Sequence, residues 1–179
     1  MDCKEYTKKQ NLIYKGRILS LYNDEVLLAD GSESKREYVH HNGGSSVLAV
    51  DKEGYIYLVE QYRYPYHEML LEIPAGKVNI GESSYDCGMR ELKEETGLCA
   101  KSLKDLGLIY PSPGYTDEPL HIFYTEDFEI GESHLDEHEL LNLRRIKLDD
   151  ALNMIKDNTI RDSKTVVAIL RYVLQKAGI

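Results

Sequence analysis

The chain has no run of about 18 apolar residues, so a membrane-spanning helix is not expected. Its first ten residues, MDCKEYTKKQ, lack the apolar stretch of a signal peptide. Cysteine is scarce: Cys3, Cys87 and Cys99 are scattered and odd in number. That argues against a disulfide framework or a zinc site and for a reducing, cytoplasmic setting. Positive charge is also in deficit, with 22 Lys and Arg against 31 Asp and Glu and a net charge of −9. Affinity for a polyanion comes from clustered Lys and Arg, so nucleic acid is not an expected partner. A small anionic ligand remains compatible if cations neutralise it locally. Internal repeats and low-complexity linkers are absent.

What remains is an ordinary globular composition, 42% hydrophobic and 30% charged over 179 residues. That length suits one domain with a full core, or a domain with a small appendage. Residues 12–21, 25–30 and 35–41 read as short strands, with turn signals at Asn23-Asp24 and Asp30-Gly31. After Gly43-Gly44, SSVLAV is a buried-strand run and YIYLVEQY at 55–62 a further strand. Strands are expected near 103–110, at LHIFYTE and near 141–147, with 127–139 acidic and irregular. Helices are expected at about 149–156 and 163–176, the second with a core stripe of Val166, Leu170, Val173 and Leu174. The order implies an α/β fold around a mixed sheet, with residues 1–42 a small antiparallel β unit ahead of a domain at 43–179.

The densest signal is GKVNIGESSYDCGMRELKEETGL at 76–98. Ser83 or Ser84 can cap a helix start, and Gly97 can close the helix. Tyr85, Met89 and Leu92 fall on one face. Glu91 and Glu95 are four apart on another, with Glu94 beside them. Like charges about 5 Å apart repel by roughly 3 kcal/mol at an effective dielectric near 20. A bound hard cation removes that cost, since Mg²⁺ favours carboxylate oxygens and substrate phosphates. The competing reading is a solvated acidic face with Arg90–Glu94 as a surface pair. Cys87 and Gly88 read as packing residues.

Gly76, Glu82, Arg90-Glu91-Leu92, Glu94-Glu95 and Gly97-Leu98 fill every position of the pattern G-x(5)-E-x(7)-R-E-U-x-E-E-x-G-U, U being aliphatic. The stretch resembles the signature of the Nudix hydrolases. QYRYP at 61–65, LEIPAGK at 71–77, PSPGYTDE at 111–118, IRDSKT at 160–165 and KREYVHHNGGSSVLAV at 35–50 resemble that family's ADP-ribose pyrophosphatase branch. The resemblance implies an α/β/α sandwich around a mixed sheet. It also implies Mg²⁺, with Mn²⁺ as alternative, on Glu91, Glu94, Glu95 and the backbone carbonyl of Ala75. By resemblance the general base comes from the loop after the last long strand, as Glu137 with Glu139 as alternate base or further ligand; otherwise that loop is only solvated.

Arg63 resembles the arginine that grips the diphosphate, its bland alternative being a strand-end surface residue. Arg36 and Glu37 resemble an Arg-Glu pair that reads the adenine edge from the other subunit of a swapped homodimer; otherwise they are an edge-strand charge pair. Where relatives often carry an arginine a few residues on, this chain has His41. Ser112, Gly114 and Glu118 resemble a loop that contacts the terminal ribose, or form a simple loop. The implied activity is Mg²⁺-dependent hydrolysis of ADP-ribose to AMP and ribose 5-phosphate. The alternatives are another nucleoside diphosphate sugar, such as GDP-mannose or UDP-glucose, and a nucleotide-sensing regulator that binds without cutting.

Overall fold

The computed structural model describes residues 3–133 and 140–179. The chain divides into two compact units, Met1–Gly43 with Tyr110–Pro119, and Gly44–Ile109 with Leu120–Ile179.

The first unit holds β1 (Tyr6–Lys9), β2 (Leu12–Lys15), β3 (Ser20–Leu27) and β4 (Glu33–His40). The pairings among these four strands are antiparallel, with β4 along one edge of β3 and β1 and β2 following one another along the other. The Asp30-Gly31 turn forms as expected, with Gly31 at φ 84° and its N–H bonded to Leu28 O. The turn expected at Asn23-Asp24 does not form; β3 runs straight through it. The buried Asp24 carboxylate accepts the Asn11 N–H at 2.9 Å where β1 gives way to β2. A short polar side chain that favours turns also satisfies backbone groups inside a sheet, and here it does the latter. β1 lies ahead of every strand the sequence suggested.

The second unit contains β5 (Gly44–Val50), β6 (Tyr55–Arg63), β7 (Glu68–Glu72), β8 (Ala75–Lys77), α1 (Ser84–Thr96), β9 (Leu98–Ala100), β10 (Lys104–Ile109), β11 (Leu120–Thr125), β12 (Phe128–Ile130), β13 (Leu141–Lys147), α2 (Leu148–Lys156) and α3 (Ser163–Ala177). The main sheet has the order β10-β11-β5-β6-β13, parallel only between β11 and β5. β12 pairs with β9, so the acidic stretch expected to be irregular starts as a strand.

All seven residues of β5 are buried, Ser45 and Ser46 included, as expected of a buried-strand run. Alternate residues sort into two cores. Leu48 and Val50 join Ile56, Leu58, Ile122 and Tyr124 against Ala151 of α2 and Ala168, Ile169 and Tyr172 of α3. Val47 and Ala49 join Tyr57 and Phe123 against Leu92 of α1. Successive side chains of a strand point to opposite faces, so α1 covers one face and α2 and α3 the other. The expected α/β/α sandwich is borne out.

The expected stripe on α3 is met in part. Val166 and Val173 pack against the core, but Leu170 and Leu174 are exposed, and the buried residues are Lys164, Thr165, Ala168, Ile169 and Tyr172. Thr165 takes a core position because its hydroxyl is satisfied, accepting from Ile73 N at 2.8 Å and donating to Asp162 at 2.6 Å.

One irregularity positions the site. β5 pairs with β6 only through Ala49 and Val50, and with β8 through Gly44, Ser45 and Ser46. β6 in turn pairs with β7 from Val59 to Arg63. The two central strands therefore part, and β7, Ile73-Pro74 and β8 fill the gap. Pro74 O accepts from Val47 N at 3.0 Å.

Candidate active site

α1 begins at Ser83, whose hydroxyl accepts the Asp86 N–H, and ends at Gly97 with φ 73° and an N–H bonded to Lys93 O. A left-handed closing residue is what glycine supplies without steric cost. Between these caps the apolar face buries Leu92, and the acidic face turns toward β8. Tyr85 sits at the margin of the core, edge-on to Phe123 at 5.9 Å, its hydroxyl accepting from Leu103 N. Cys87 and Gly88 are buried, and the apolar surroundings push the Cys87 thiol up to about 12.

Glu91 and Glu95, one turn apart, both reach the backbone at Ala75-Gly76. Glu95 is 5% exposed and accepts the Ala75 N–H at 3.0 Å. Glu91 lies directly over Gly76: a Cβ built there would stand 1.9 Å from Glu91 Oε1. A side chain at position 76 would displace the Glu91 carboxylate, which accounts for the glycine that opens the motif. Glu94 lies farther round the helix.

Arg90 ties the acidic groups together. Its Nη1 donates to Glu91 at 2.6 Å and to Glu94 at 2.9 Å. Its Nε and Nη2 straddle Glu82 at 2.8 and 3.0 Å, and Nη2 also reaches Lys77 O at 3.3 Å. The Arg90 guanidinium holds the Glu82 carboxyl down to about 2. Glu82 in return raises the Arg90 pKa further above its usual range. Arg90 is thus the internal counter-charge of the cluster and more than a partner of Glu94. As the side chains stand, no three His, Cys, Asp or Glu among the described residues converge on one metal-binding point. The donor chemistry nevertheless fits a hard divalent cation: carboxylate oxygens from one helix gathered on a backbone with no Cβ in the way.

Arg63 ends β6 and forms a two-point pair with Glu72 at the end of β7, Nε and Nη2 each 2.6 Å from a carboxylate oxygen. Glu72, and more weakly Asp162 and Glu95, raise the Arg63 pKa, so the guanidinium lies within electrostatic reach of the acidic helix. Burial pushes Glu72 up, but Arg63 and Lys164 more than offset it and the carboxyl is held below its usual value.

A NUDIX domain model matches residues 40–168. The chain belongs to the NUDIX family. It is an enzyme of the hydrolase class, as the sequence implied. Over 176 residues it is 40% identical to the ADP-ribose pyrophosphatase of Bacillus subtilis (strain 168), covering 97% of this chain and 95% of that protein. Over the same length it is 41% identical to a methanol dehydrogenase activator of Bacillus methanolicus, with the same coverage of both chains. Among solved structures, an ADP compounds hydrolase superposes with a TM-score of 0.83 at 22% identity, covering 98% of this chain and 96% of that one. That likeness speaks for the fold.

Of the expected metal ligands, Glu91, Glu94 and Glu95 lie on α1 and Ala75 on β8, where its N–H meets Glu95. The other expected residues are distributed differently. Glu137 and Glu139 lie outside the described residues. Arg36 and Glu37 are neighbours on β4 and so point to opposite faces of its sheet. Arg36 pairs with Glu5 of the N-terminal segment, at 2.8 Å from Nε and 2.5 Å from Nη2. The loop bearing Ser112, Gly114 and Glu118 is tied to β4 through Val39 N to Tyr115 O and Asp117 N to Val39 O, at 2.8 and 3.2 Å. Ser112 O accepts from Tyr115 N and Thr116 N, Gly114 faces open space, and Glu118 lies 3.3 Å from His41 Nδ1.

Sequence reasoning missed Asp117, which accepts from His41 N at 2.9 Å and sits 2.6 Å from His40 Nδ1. It also missed Glu72, Asp162, Lys164 and Thr165. Each lies inside a segment noted for its resemblance. Lys164 and Thr165 meet Glu72 and Ile73 from 92 positions away, which leaves no local mark, whereas Asp162 is a local helix cap that its spacing to Thr165 could have signalled.

Proposed function

We propose that this NUDIX enzyme hydrolyses ADP-ribose at its diphosphate, releasing AMP and ribose 5-phosphate, with Mg²⁺ or Mn²⁺ as cofactor. One observation carries the reading: Glu91 and Glu95 meet on the Ala75-Gly76 backbone, where a side chain would displace the Glu91 carboxylate. The likeness to an ADP-ribose pyrophosphatase over nearly the whole chain supports the substrate class.

Glu91, Glu94, Glu95 and the carbonyl of Ala75 would hold the cation. When bound, such a cation lowers the pKa of water and spreads the negative charge that develops on the diphosphate. Arg90 orients Glu91 and Glu94 and balances part of the charge of the acidic face. Arg63 presents its guanidinium to phosphate oxygens, a match that suits its planar fork. Glu137, with Glu139 as alternate, takes the proton from the attacking water. Ser112, Gly114 and Glu118 contact the terminal ribose.

The first unit serves as the dimerisation element of a homodimer and supplies Arg36 and Glu37 toward the base. No helix among the described residues is long and apolar enough to cross a membrane, in keeping with a small-molecule substrate met in the cytoplasm.

Incubation of the protein with ADP-ribose and Mg²⁺, followed by separation of products, should yield AMP and ribose 5-phosphate. No AMP at micromolar enzyme would sink the proposal. The opposed directions of Arg36 and Glu37 favour a second reading, a pyrophosphatase for another nucleoside diphosphate sugar, because adenine recognition is then less firmly built. GDP-mannose and UDP-glucose belong in the same assay, ranked by kcat/KM. A relative named as an activator of methanol dehydrogenase is as similar as the pyrophosphatase, so turnover, not a relative's name, chooses the substrate.

A further inference from the structure

The pair between Arg63 and Glu72 raises a difficulty for the function proposed for Arg63. Glu72 is 1% exposed, and both its oxygens face the guanidinium. A buried carboxylate facing a single arginine would cancel the charge that a phosphate needs to meet. The fold supplies a second cation. Lys164, in the first turn of α3 and only 8% exposed, donates Nζ to Glu72 Oε2. The same Nζ lies 3.0 Å from Asp162 Oδ1. Asp162 is itself engaged as the helix cap, its carboxylate accepting from Thr165 N at 3.0 Å and Thr165 Oγ1 at 2.6 Å. Glu72 is thus shared between two cations while Asp162 is drawn partly into the helix start. The Arg63 side chain keeps 40% of its surface exposed.

Burying a lysine costs several kcal/mol unless its charge is paired, and a neutral side chain would fill the space without that cost. A purely structural clamp between the residue after β7 and α3 is already provided by the bond from Ile73 N to Thr165 Oγ1. Lys164 adds charge where packing alone does not require it.

We infer that Lys164 is a positioning residue for the diphosphate site: by sharing Glu72 it fixes the Arg63 guanidinium in one orientation and leaves its outer edge electropositive toward substrate phosphate. The inference rests on the reading of Arg63 as the phosphate-binding arginine. It gives the IRDSKT segment a function that contact with substrate would not explain. Lys164 acts only through Glu72 and Arg63.

The experiment compares wild type, Lys164→Met and Lys164→Arg by steady-state kinetics on ADP-ribose, and by calorimetric binding of ADP without turnover. Loss of one charge-assisted hydrogen bond is on the order of a tenfold effect on affinity. Lys164→Met should raise KM and the ADP dissociation constant about tenfold, with kcat within about threefold of wild type. Lys164→Arg should restore both. A folded Lys164→Met protein with unchanged KM and ADP affinity overturns the inference, as does a Lys164→Arg protein that behaves like Lys164→Met. A purely structural role would lower the melting temperature and leave KM in place. Should Lys164→Met fail to fold, Lys164→Gln keeps a hydrogen-bond donor, loses the charge and carries the same expectation. Wild-type turnover of ADP-ribose tests the functional reading separately. If wild type cuts a different substrate or none, ADP affinity still reports on Lys164.

Discussion

Gly76 shows how much chemistry one residue can settle by having no side chain. The seat that Glu91 occupies is the space a Cβ would take, with 1.9 Å between them. Gly76→Ala must therefore move a site carboxylate, the strand, or both. Displacing a reacting group by about 1 Å can cost a hundredfold in rate. Gly76→Ala should lower kcat roughly a hundredfold or more while circular dichroism shows a retained fold; a near-wild-type kcat would contradict the placement of Glu91. At this scale the sequence was a good guide to the NUDIX helix and a poor one to its surroundings. Glu91, Glu94, Glu95 and Arg90 belong to one helix, so spacing alone brings them together. Glu72 and Lys164 meet across a sequence separation of 92, and no local pattern encodes that.

Among the elements, alternation was the legible part. β5 reads as a buried strand and β11 as a strand, and residues of both feed cores on the two faces of the sheet. Where polar residues do core work, legibility failed. Asp24 looks like a turn residue yet sits inside β3, and Thr165 looks like a surface residue yet lies in the buried face of α3. Counting only aliphatic residues turned that helix toward Leu170. The observed face makes a direct prediction. Ile169 is fully buried and Leu170 is 42% exposed. Ile169→Ala should cost about 2–5 kcal/mol, with Leu170→Ala at about 1 kcal/mol or less. Urea titration of both variants measures this, and equal losses would restore the face that the sequence suggested.

For the molecule as a whole, the first unit carries apolar surface that it does not cover. Every residue of β1 and β2 is exposed, and Leu12, Ile13, Tyr14 and Ile18 are each more than half exposed. Several large apolar side chains left exposed on one small sheet are a feature of interfaces. The full chain should therefore sediment as a homodimer, and the chain without residues 1–42 as a monomer. Equilibrium ultracentrifugation of the two proteins decides it; a full-length monomer at tens of micromolar would rule out the dimerisation function proposed for this unit.

The gap between β5 and β6 has one further consequence. Within residues 72–76, the amide of Ile73 is bonded to α3 on one face of the sheet and that of Ala75 to α1 on the other. The strap is held like a rope between two posts, and the acidic helix is only one of them. Distance from the glutamates is then a poor measure of relevance to catalysis. Variation at the start of α3 pulls on the backbone that Glu91 and Glu95 grip, so natural or engineered changes there belong with active-site changes.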